Sequence, residues 1–390
     1  MLMKDYTAEL LNLKDIIITN VENISDQLHI YIELPRTKHV CPSCGAHTDH
    51  VHDYRMQVVK DVPMSRNTFL HLRKRRYRCP HCSKRFFEKN SFLPRYYRMT
   101  SRLIAAIIHE FKKVVSATEI ASRFNVSVST TVRYFDCVNY HCKQLPEVLS
   151  IDEFKGNAGG QKYQTIIADP KEKKVIDILP NRYESDLIRY FKSFSNRNNV
   201  KYFVSDMNHH FKEVAKVCFP NATLIADKYH VIRLSIWAME RVRKTEQQKL
   251  SANFRKYFKR SRLLLNKSIK KLTDNEKERL ALILDTAPRI ADAYRMKNEF
   301  LNIMRSKSSA IARQKIVEWL DSVERLDLPE FNDCLKAYRN WFGEILNSLD
   351  VPWTNGFIEG CNNKTKVLKR NCFGVRNFKR FRNRILHCNT

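Results

Sequence analysis

The hydrophobic and polar positions change their period along the chain, and each change predicts a different kind of element. Residues 1–40 are predicted to form strands, because residues 28–34 alternate between apolar side chains and polar or aromatic ones. Residues 51–77 are also extended in character and indicate a hairpin. Residues 103–111 instead carry apolar side chains at helical spacing, which predicts a helix there.

Two short helices are predicted next, over residues 117–124 and 128–135. Ser116 and Glu119 have the spacing of a capping box, and Asn125 tolerates the left-handed backbone of a tight turn. This is the size and order of a helix-turn-helix, and the alternative is a plain three-helix packing unit. The side chains predicted to be exposed on the last helix are Ser129, Thr130, Thr131 and Arg133. Of these, Ser129, Thr130 and Arg133 are expected to face the major groove.

Strands and helices alternate from residue 148 onward. Strands are predicted over residues 148–155, 162–169, 173–179, 200–206 and 222–226, and helices over residues 184–195 and 208–218. Three strands in a meander followed by helix–strand repeats is the element order of the ribonuclease H-like fold.

The following region, residues 227–345, shows no strand pattern and predicts a long, basic helical insertion. Its tryptophans, Trp237, Trp319 and Trp341, are interpreted as core residues, and the alternative is that they stack on nucleotide bases. Pro352 marks a fresh start, after which a last helix carries Glu359. The insertion therefore separates this helix from the strands that precede it.

Charge is the strongest signal in the composition. The 390 residues include 70 Lys and Arg against 41 Asp and Glu, a formal net charge of +29. This favours a polyanionic partner, most commonly nucleic acid, although it also fits a ribosomal-type or merely soluble basic protein. The chain has no run of 18 or more apolar residues, and its N-terminus lacks a signal-peptide pattern. We expect no membrane span and a cytoplasmic location.

Four of the eleven cysteines form two Cys-Pro-x-Cys pairs. Cys41, Cys44, Cys79 and Cys82 have the ligand spacing of a structural tetrahedral Zn²⁺ site, with the predicted hairpin between the pairs. His47, His50 and His52 are possible substitute ligands, and the alternative is two redox-active or idle cysteine pairs.

Two basic runs are candidates for phosphate contacts. The first precedes the second cysteine pair and consists of Arg73, Lys74, Arg75, Arg76 and Arg78. The second lies in the C-terminal tail, among aromatic residues, and includes Lys366, Lys369, Arg370, Arg376, Lys379 and Arg380. The alternative for both runs is a solvated surface.

Three acidic residues on predicted core elements are candidates for catalysis. Asp152 lies in the first core strand, Asp206 ends the fourth, and Glu359 lies on the last helix. Carboxylates suit Mg²⁺, and two such ions about 3.5–4 Å apart activate an attacking hydroxyl and stabilise a leaving oxygen at a phosphodiester. Asn355, Glu359 and Asn363 are spaced to share a helix face. Taken singly, each acid also fits a strand cap or a solvated helix face, and the competing acids are Glu153, Asp169, Asp177 and Asp227.

Several of these motifs together resemble a known family. They are the cysteine region 41–82, Ser-Ile-Asp-Glu-Phe-Lys-Gly at 150–156, Val-Ser-Asp-Met at 204–207, Ala-Asp-Lys-Tyr-His at 226–230, Asn-Gly-Phe-Ile-Glu-Gly-Cys-Asn-Asn at 355–363, and the basic tail 366–386. The chain resembles bacterial insertion-sequence transposases of the ISL3 group, which carry a DDE triad in a ribonuclease H-like core. The resemblance implies that Asp152, Asp206 and Glu359 are this triad. It also implies an insertion before Glu359, and that Asp227 and His230 assist the site or simply cap a helix.

The predicted fold is multidomain α+β, and its five parts follow one another along the chain. They are a zinc ribbon (1–95), a helix-turn-helix (96–145), the first part of a ribonuclease H-like α/β core (146–230), an all-helical insertion (231–345), and the last core helix with the basic tail (346–390).

The predicted function is metal-dependent cleavage and transfer of DNA strands, with Mg²⁺ or Mn²⁺ in the catalytic site and structural Zn²⁺. The predicted partner is double-stranded DNA, namely transposon ends and target, bound by a homodimer or higher homo-oligomer on the bacterial nucleoid. One alternative is a transposase-derived regulator that binds DNA without cutting it. A second alternative is a recombinase with a tyrosine or serine nucleophile.

Overall fold

The chain folds into two compact units in the computed structural model. The structure describes residues 11, 13, 15–267, 269–306 and 308–390. One unit comprises Met1–Asn139 with Arg370–Phe373, and the other comprises Tyr140–Lys369 with Gly374–Thr390. Most of the first forty residues are described, and the predicted strands appear there from Ile17 onward, whereas residues 1–10, 12 and 14 lie outside the described part.

The first unit contains a five-stranded sheet built on one long hairpin. Its strands are β1 (Ile17–Ile24), β2 (Gln27–Glu33), β5 (Val51–Met64), β6 (Arg66–Arg78) and β7 (Arg85–Phe87), and the two short strands β3 (His39–Val40) and β4 (His47–Thr48) pair with each other. The sheet order is β1-β2-β6-β5, with β7 also on β6. The predicted hairpin over residues 51–77 is confirmed as β5 and β6, which turn at Ser65 with a positive φ of 60°.

Three short helices follow the sheet in the described part of this unit: α1 (Ser101–Glu110), α2 (Ala117–Arg123) and α3 (Val128–Phe135). Each begins at a hydroxyl side chain, Thr100, Ser116 or Ser127, which accepts a hydrogen bond from a backbone N–H of the first turn. Asn125, between α2 and α3, has the expected left-handed backbone with a φ of 48°. Thr131 was predicted to be exposed, and this is wrong. It is fully buried because its Oγ1 donates to the carbonyl of Ser127 at 3.1 Å.

The second unit contains a five-stranded mixed sheet, and the predicted strands are confirmed within about two residues. They are β8 (Val148–Phe154), β9 (Gln164–Asp169), β10 (Lys174–Leu179), β11 (Tyr202–Ser205) and β12 (Thr223–Ala226), in the order β10-β9-β8-β11-β12. β8, β9 and β10 are antiparallel, whereas β11 is parallel to both β8 and β12. The helices α4 (Glu184–Lys192) and α5 (His209–Cys218) connect these strands.

A helical block follows β12, as predicted, and no strand interrupts it in its described part. Its helices are α6 (Lys228–Gln248), α7 (Ala252–Asn266), α8 (Asp274–Thr286), α9 (Pro288–Ile303), α10 (Ser309–Arg325), α11 (Asn332–Asn340) and α12 (Phe342–Asp350). The chain ends in α13 (Gly356–Asn371) and α14 (Phe378–Cys388). None of the described helices has the length and apolar character needed to cross a membrane.

The core of this block is built on aromatic rings, with Phe300 stacked on Tyr338 at a centroid separation of 4.3 Å. Trp319 and Trp341 lie in this core with 2% and 8% of their surface exposed, as predicted. The same prediction is wrong for Trp237, which is 47% exposed. The sequence pattern predicts the same buried position for all three tryptophans. Which of them is buried depends on how the helices pack against one another, and the sequence pattern does not show this.

Asp61 fixes α1 to the long hairpin in the first unit, and its replacement is the sharpest test of this fold. Its buried carboxylate accepts hydrogen bonds from the Thr100 hydroxyl at 2.6 Å and from Arg102 Nε at 2.7 Å. We predict that Asp61→Ala lowers the local unfolding free energy by about 3 kcal/mol, because it removes one partner of a buried ion pair. Amide hydrogen exchange in α1 measures this. Asp26→Ala, which removes an exposed pair with Arg66, is the control, and equal protection in the two variants would contradict the prediction.

Candidate functional site

The two cysteine pairs of the first unit have the same backbone geometry. Cys41 N–H donates to the carbonyl of Ala46, and the N–H of Gly45 donates back to Cys41. Cys79 makes the equivalent pair of hydrogen bonds with Lys84 and Ser83. Each loop turns sharply at a residue with positive φ, Gly45 at 73° and Ser83 at 57°. Two similar knuckles therefore present their thiols towards each other.

The four thiols fit a zinc ion. Sγ of Cys41 lies 3.5 Å from Sγ of Cys82, and Sγ of Cys44 lies 3.6 Å from Sγ of Cys79. Zn–S bonds of about 2.3 Å in a tetrahedron place sulfur atoms at nearly this separation. Among the described residues, this is the only group of three or more possible ligand atoms that all lie within 4.8 Å of one another. The cluster supports structural Zn²⁺, and the four thiols complete a tetrahedral shell without the nearby histidines.

The basic run on β6 divides into exposed and buried members. Arg75 is buried, and its guanidinium donates to the carbonyl of Leu34 and pairs with Glu88 at 3.4 Å. It is a structural residue, so we remove it from the predicted phosphate contacts. Arg73 and Arg78 are exposed, whereas Lys74 and Arg76 are half-buried. Side chains alternate along a strand, which is why a continuous basic sequence does not give a continuous basic surface.

The other predicted DNA contacts lie on helices and on the tail. On α3, Ser129 and Arg133 are exposed and Thr130 is half-buried. In the tail, Lys366, Arg370, Arg376 and Lys379 are exposed, whereas Lys369 and Arg380 are half-buried. Lys369 Nζ donates to the carbonyl of Lys155 at 2.8 Å, so its ammonium already has a backbone partner.

Asp152 and Asp206 lie on neighbouring strands of the second unit. β8 and β11 are parallel, and Val204 pairs with Ser150. Asp152 lies in β8, and Asp206 directly follows the last residue of β11. The charge of Asp206 raises the pKa of Asp152, so the two carboxylates lie close to each other.

Glu359 lies in the first turn of α13, and two asparagines on the same side of this helix bind the Asp152 strand. Asn355 Nδ2 donates to the carbonyl of Ile151 at 3.1 Å, and Asn362 Nδ2 donates to Asp152 Oδ2 at 2.9 Å. Glu359 is exposed between them in sequence. The structure thus brings Asn362, rather than Asn363, to Asp152, while Asn363 is exposed and accepts from Lys366 at 3.2 Å.

Asp227 connects this helix to the start of α6. Its Oδ1 accepts the backbone N–H of Asn355 at 3.0 Å, and its Oδ2 lies 2.8 Å from His230 Nδ1. Its own N–H donates to the carbonyl of Ser205, the residue before Asp206, at 2.8 Å. Burial opposes protonation of the imidazole, but the hydrogen bond to Asp227 raises the pKa of His230. Asp227 therefore joins the end of β11, the start of α6 and the start of α13 next to the two aspartates.

Burial makes the negative charge of both aspartates unfavourable. It raises the pKa of Asp152 to about 7, with a further rise from the charge of Asp206. It also raises the pKa of Asp206 to about 6, although the positive charges of His230 and Arg233 oppose this shift. A bound cation would offset the unfavourable free energy of keeping both carboxylates negatively charged at this position.

Unpartnered oxygens at the site give a second test of whether a cation fits there. Oδ1 of Asp206, Asn355 and Asn362 are all buried, and none of the three has a hydrogen-bond partner among the residues that the structure describes. Buried acceptors without donors are rare, and hard divalent cations bind oxygen. Asp152, Asp206 and Glu359 do not form a group within 4.8 Å, so they do not converge on one ion. A two-ion site does not require this, because the outer carboxylates serve different ions.

The competing acids have structural partners. Glu153 pairs with Arg182 at 2.8 Å, and Asp177 pairs with Arg382 at 2.5 Å and accepts from Tyr190. Asp169 Oδ1 accepts two backbone N–H groups of the turn after β9. Sequence reasoning missed Asn362, and the only available signal was its position seven residues after Asn355, which is two helical turns.

Comparison with known protein families agrees with these features. A model described as "zinc-finger of transposase IS204/IS1001/IS1096/IS1165" matches residues 37–82. An ISL3 model described as "Transposase" matches residues 149–385, which is more than half of the chain. The chain belongs to the ISL3 family of transposases. It is therefore a DNA transposase, and DNA is its partner.

Named relatives agree with the family. The transposase for insertion sequence element IS1001 of Bordetella parapertussis is 25% identical over 366 residues, which cover 91% of this chain and 89% of the relative. The transposase for IS1557 of Mycobacterium tuberculosis is 21% identical over 240 residues, covering 55% of this chain and 54% of the relative. The first match is long enough to include parts of both units.

Zinc content tests the cysteine site of this transposase. We predict that Cys44→Ser lowers the zinc content well below the expected value of about one ion per chain and lowers the unfolding temperature, because it removes a ligand. Metal analysis of the purified protein measures this. Cys137→Ser is the control, since Cys137 is exposed and outside the cluster. Full zinc content in Cys44→Ser would show that the cluster does not hold the ion.

The pH dependence of stability tests the environment of Asp152 in magnesium-free buffer. The pKa of Asp152 is about 7 in the folded chain against an ordinary value of 3.8, so the folded state binds more protons between these pH values. Its contribution to stability must fall as pH rises from about 4 to 7 and level off above 7. We predict that Asp152→Asn reduces this decline in the unfolding temperature. Identical pH profiles for the two proteins would contradict a raised pKa for Asp152 in the folded chain.

Proposed function

We propose that this transposase cleaves DNA at the ends of an insertion sequence and transfers the freed strand, with Asp152, Asp206 and Glu359 as its catalytic triad. The observation that supports this most strongly is the pair of half-buried aspartates in β8 and directly after β11, with Asn362 of the Glu359 helix bonded to Asp152. The strand order and the helices between the strands fit a ribonuclease H-like core with a helical insertion before its last helix.

The three carboxylates would hold two Mg²⁺ or Mn²⁺ ions, with Asp152 shared, Asp206 on one ion and Glu359 on the other. Bound there, such ions supply activation of the attacking oxygen and stabilisation of the leaving oxygen. Asp152 Oδ1 accepts the N–H of Glu153 at 2.8 Å, and its Oδ2 accepts from Asn362. Each carboxylate oxygen has two lone pairs, so these bonds fix the side chain and leave an acceptor site on each oxygen.

Asp227, His230 and Asn355 are proposed as positioning residues. Asn355 joins the backbone next to Asp152 to the start of α13, and Asp227 bonds both Asn355 and His230. These bonds set the position of the helix end from which Glu359 projects. Asn363 takes no part in this arrangement, because it is exposed and bonded to Lys366.

The first unit is proposed to recognise the ends of the element. Its three helices have the order of a helix-turn-helix, in which Ser129, Thr130 and Arg133 of α3 face the major groove. The exposed and half-buried basic residues of β6 and of the tail would contact phosphates. The five parts expected from the sequence, residues 1–95, 96–145, 146–230, 231–345 and 346–390, are retained as the proposed domain division. The cytoplasm, where the bacterial chromosome lies, is the proposed location.

The proposed reaction has two steps that use one site. Water attacks a phosphodiester at the element's end, and the bond to the 3′ oxygen breaks to give a 3′-hydroxyl and a 5′-phosphate. The freed 3′-hydroxyl then attacks a phosphodiester of the target, joins to its 5′-phosphate side and releases a new 3′-hydroxyl. No covalent link between protein and DNA is formed. Pairing of two ends before transfer makes a homodimer or larger homo-oligomer the proposed active form.

Replacing Asp152 tests this function. We predict that Asp152→Asn reduces cleavage of the element's end in Mg²⁺ below detection while end binding is retained, because one charge that holds both ions is removed. Gel analysis of end-labelled DNA and a binding titration measure the two quantities. Asp169→Asn is the matched control, since this buried acid on β9 caps a turn and is expected to leave cleavage unchanged.

Three outcomes would contradict the proposal in different ways. Cleavage by Asp152→Asn at the normal rate would remove Asp152 from the triad. A trapped adduct between DNA and a tyrosine or serine would indicate a covalent recombinase. End binding by the unsubstituted protein without cleavage in Mg²⁺ or Mn²⁺ would support a DNA-binding regulator.

A further inference from the structure

Two exposed aromatic rings and a half-buried arginine between them form a stripe along the first half of α6. Tyr229, Arg233 and Trp237 are each four residues apart and therefore share one face of the helix. We call them the α6 stripe. Tyr229 is 51% exposed and Trp237 is 47% exposed, although rings of this size are usually largely covered. The guanidinium of Arg233 lies 5.4 Å from the Tyr229 ring centroid and 4.5 Å from that of Trp237. The stripe is thus aromatic at both ends and cationic in the middle.

The α6 stripe begins beside the proposed catalytic site. Asp227 caps α6, and its N–H bonds the carbonyl of the residue before Asp206. His230, next to Tyr229, bonds Asp227. The charge of Arg233 acts on both Asp206 and His230. A DNA strand whose scissile phosphate lies at Asp206 would therefore have neighbouring nucleotides within reach of this face.

Arg233 also has an unused donor. Its Nε is buried and lacks a hydrogen-bond partner among the described residues. An anionic oxygen is the natural acceptor for a guanidinium, and a phosphate supplies several. The charge of the chain, +29, favours the same class of ligand.

Among ligands that carry a phosphate, the two exposed rings favour an unpaired nucleotide over a base-paired duplex. In a duplex, the faces of each base are covered by its neighbours, so a duplex offers no free face to Trp237 or Tyr229. A nucleotide displaced from the stack exposes its base to an aromatic ring and keeps its phosphate for an arginine. Aromatic rings with an arginine between them match both parts of that ligand.

Resting on the proposed function, we infer that the α6 stripe binds one displaced nucleotide of the DNA end, adjacent to the scissile phosphate. Its base stacks on Trp237 or Tyr229, and its phosphate accepts from Arg233. The stripe would favour local opening of the duplex at the cleavage site. It therefore acts as a DNA-binding site and has no role in the chemical step itself.

Photocrosslinking tests the contact without requiring cleavage. The full-length Asp152→Asn protein is bound to end DNA in which 5-iododeoxyuridine replaces single nucleotides on either side of the cleavage site. Irradiation followed by peptide mapping is expected to join one or two adjacent positions to Trp237 or Tyr229, and Trp237→Ala is expected to reduce that yield by at least about 5-fold. Crosslinks that avoid α6 at every position would overturn the inference, whether or not the protein cleaves DNA.

Comparing the cleavage rates of fully paired and mismatched DNA ends tests whether the α6 stripe favours opening of the duplex. Trp237→Ala is expected to cut a fully paired end roughly 10-fold more slowly than the unsubstituted protein. A single mismatch at the crosslinked position should restore its rate to within about 2-fold, and Trp237→Phe should cut the paired end nearly normally. Phe254→Ala, which removes a 58% exposed ring on α7, is the control and should behave normally.

The outcomes separate this inference from the proposed function. Equal slowing of Trp237→Ala on paired and mismatched ends would indicate a merely structural role and overturn the inference, while leaving the triad in place. The inference would also be overturned if Trp237→Ala cut the fully paired end at the rate of the unsubstituted protein. Loss of cutting by the unsubstituted protein on every end would instead contradict the proposed function, and the crosslinks would still decide whether the stripe binds DNA.

Discussion

Two carboxylates of like charge lie close together at a half-buried position in the second unit, and the proposed metal site depends on that placement. Asp152 lies in β8 and Asp206 directly follows the neighbouring strand β11, and desolvation raises the pKa of both. A fold gains nothing in stability from such a pair, because each charge is both desolvated and repelled. The arrangement becomes favourable when a cation is bound between protein and substrate, and this is the state in which a nuclease site works.

In the proposed site, the third carboxylate comes from the far side of the helical block. Glu359 is separated from Asp206 by the whole helical block, yet its helix starts at Asn355, whose backbone and side chain bond Asp227 and the β8 backbone. The block packs around its own aromatic core, so it is a stable spacer rather than a loose loop. Its first helix, α6, also carries His230 and Arg233 beside the site. The insertion therefore contributes residues to the site as well as spacing.

Periodicity in the sequence predicted many elements of both units, including the strand that carries Asp152, the strand that Asp206 follows and the helix that carries Glu359. Local sequence patterns predict these elements because buried apolar side chains recur at a fixed spacing in strands and in helices. They fail where tertiary neighbours decide burial. Arg75 was predicted to contact phosphate but is buried against Glu88, and Trp237 was predicted to be core but is exposed. Asn362 was missed because spacing alone does not show which amide of α13 meets Asp152.

The central claim is that Asp152, Asp206 and Glu359 bind divalent ions together, and iron-directed cleavage of the protein backbone tests it most directly. Fe²⁺ takes the place of Mg²⁺ in the complex with end DNA, and the radicals it generates with a reductant cut the polypeptide close to the ion. We predict three cuts in the polypeptide backbone, near Asp152 in β8, near Asp206 after β11 and near Glu359 in α13. Excess Mg²⁺ should suppress all three. Cuts at other places, or cuts at these places that Mg²⁺ does not suppress, would contradict it.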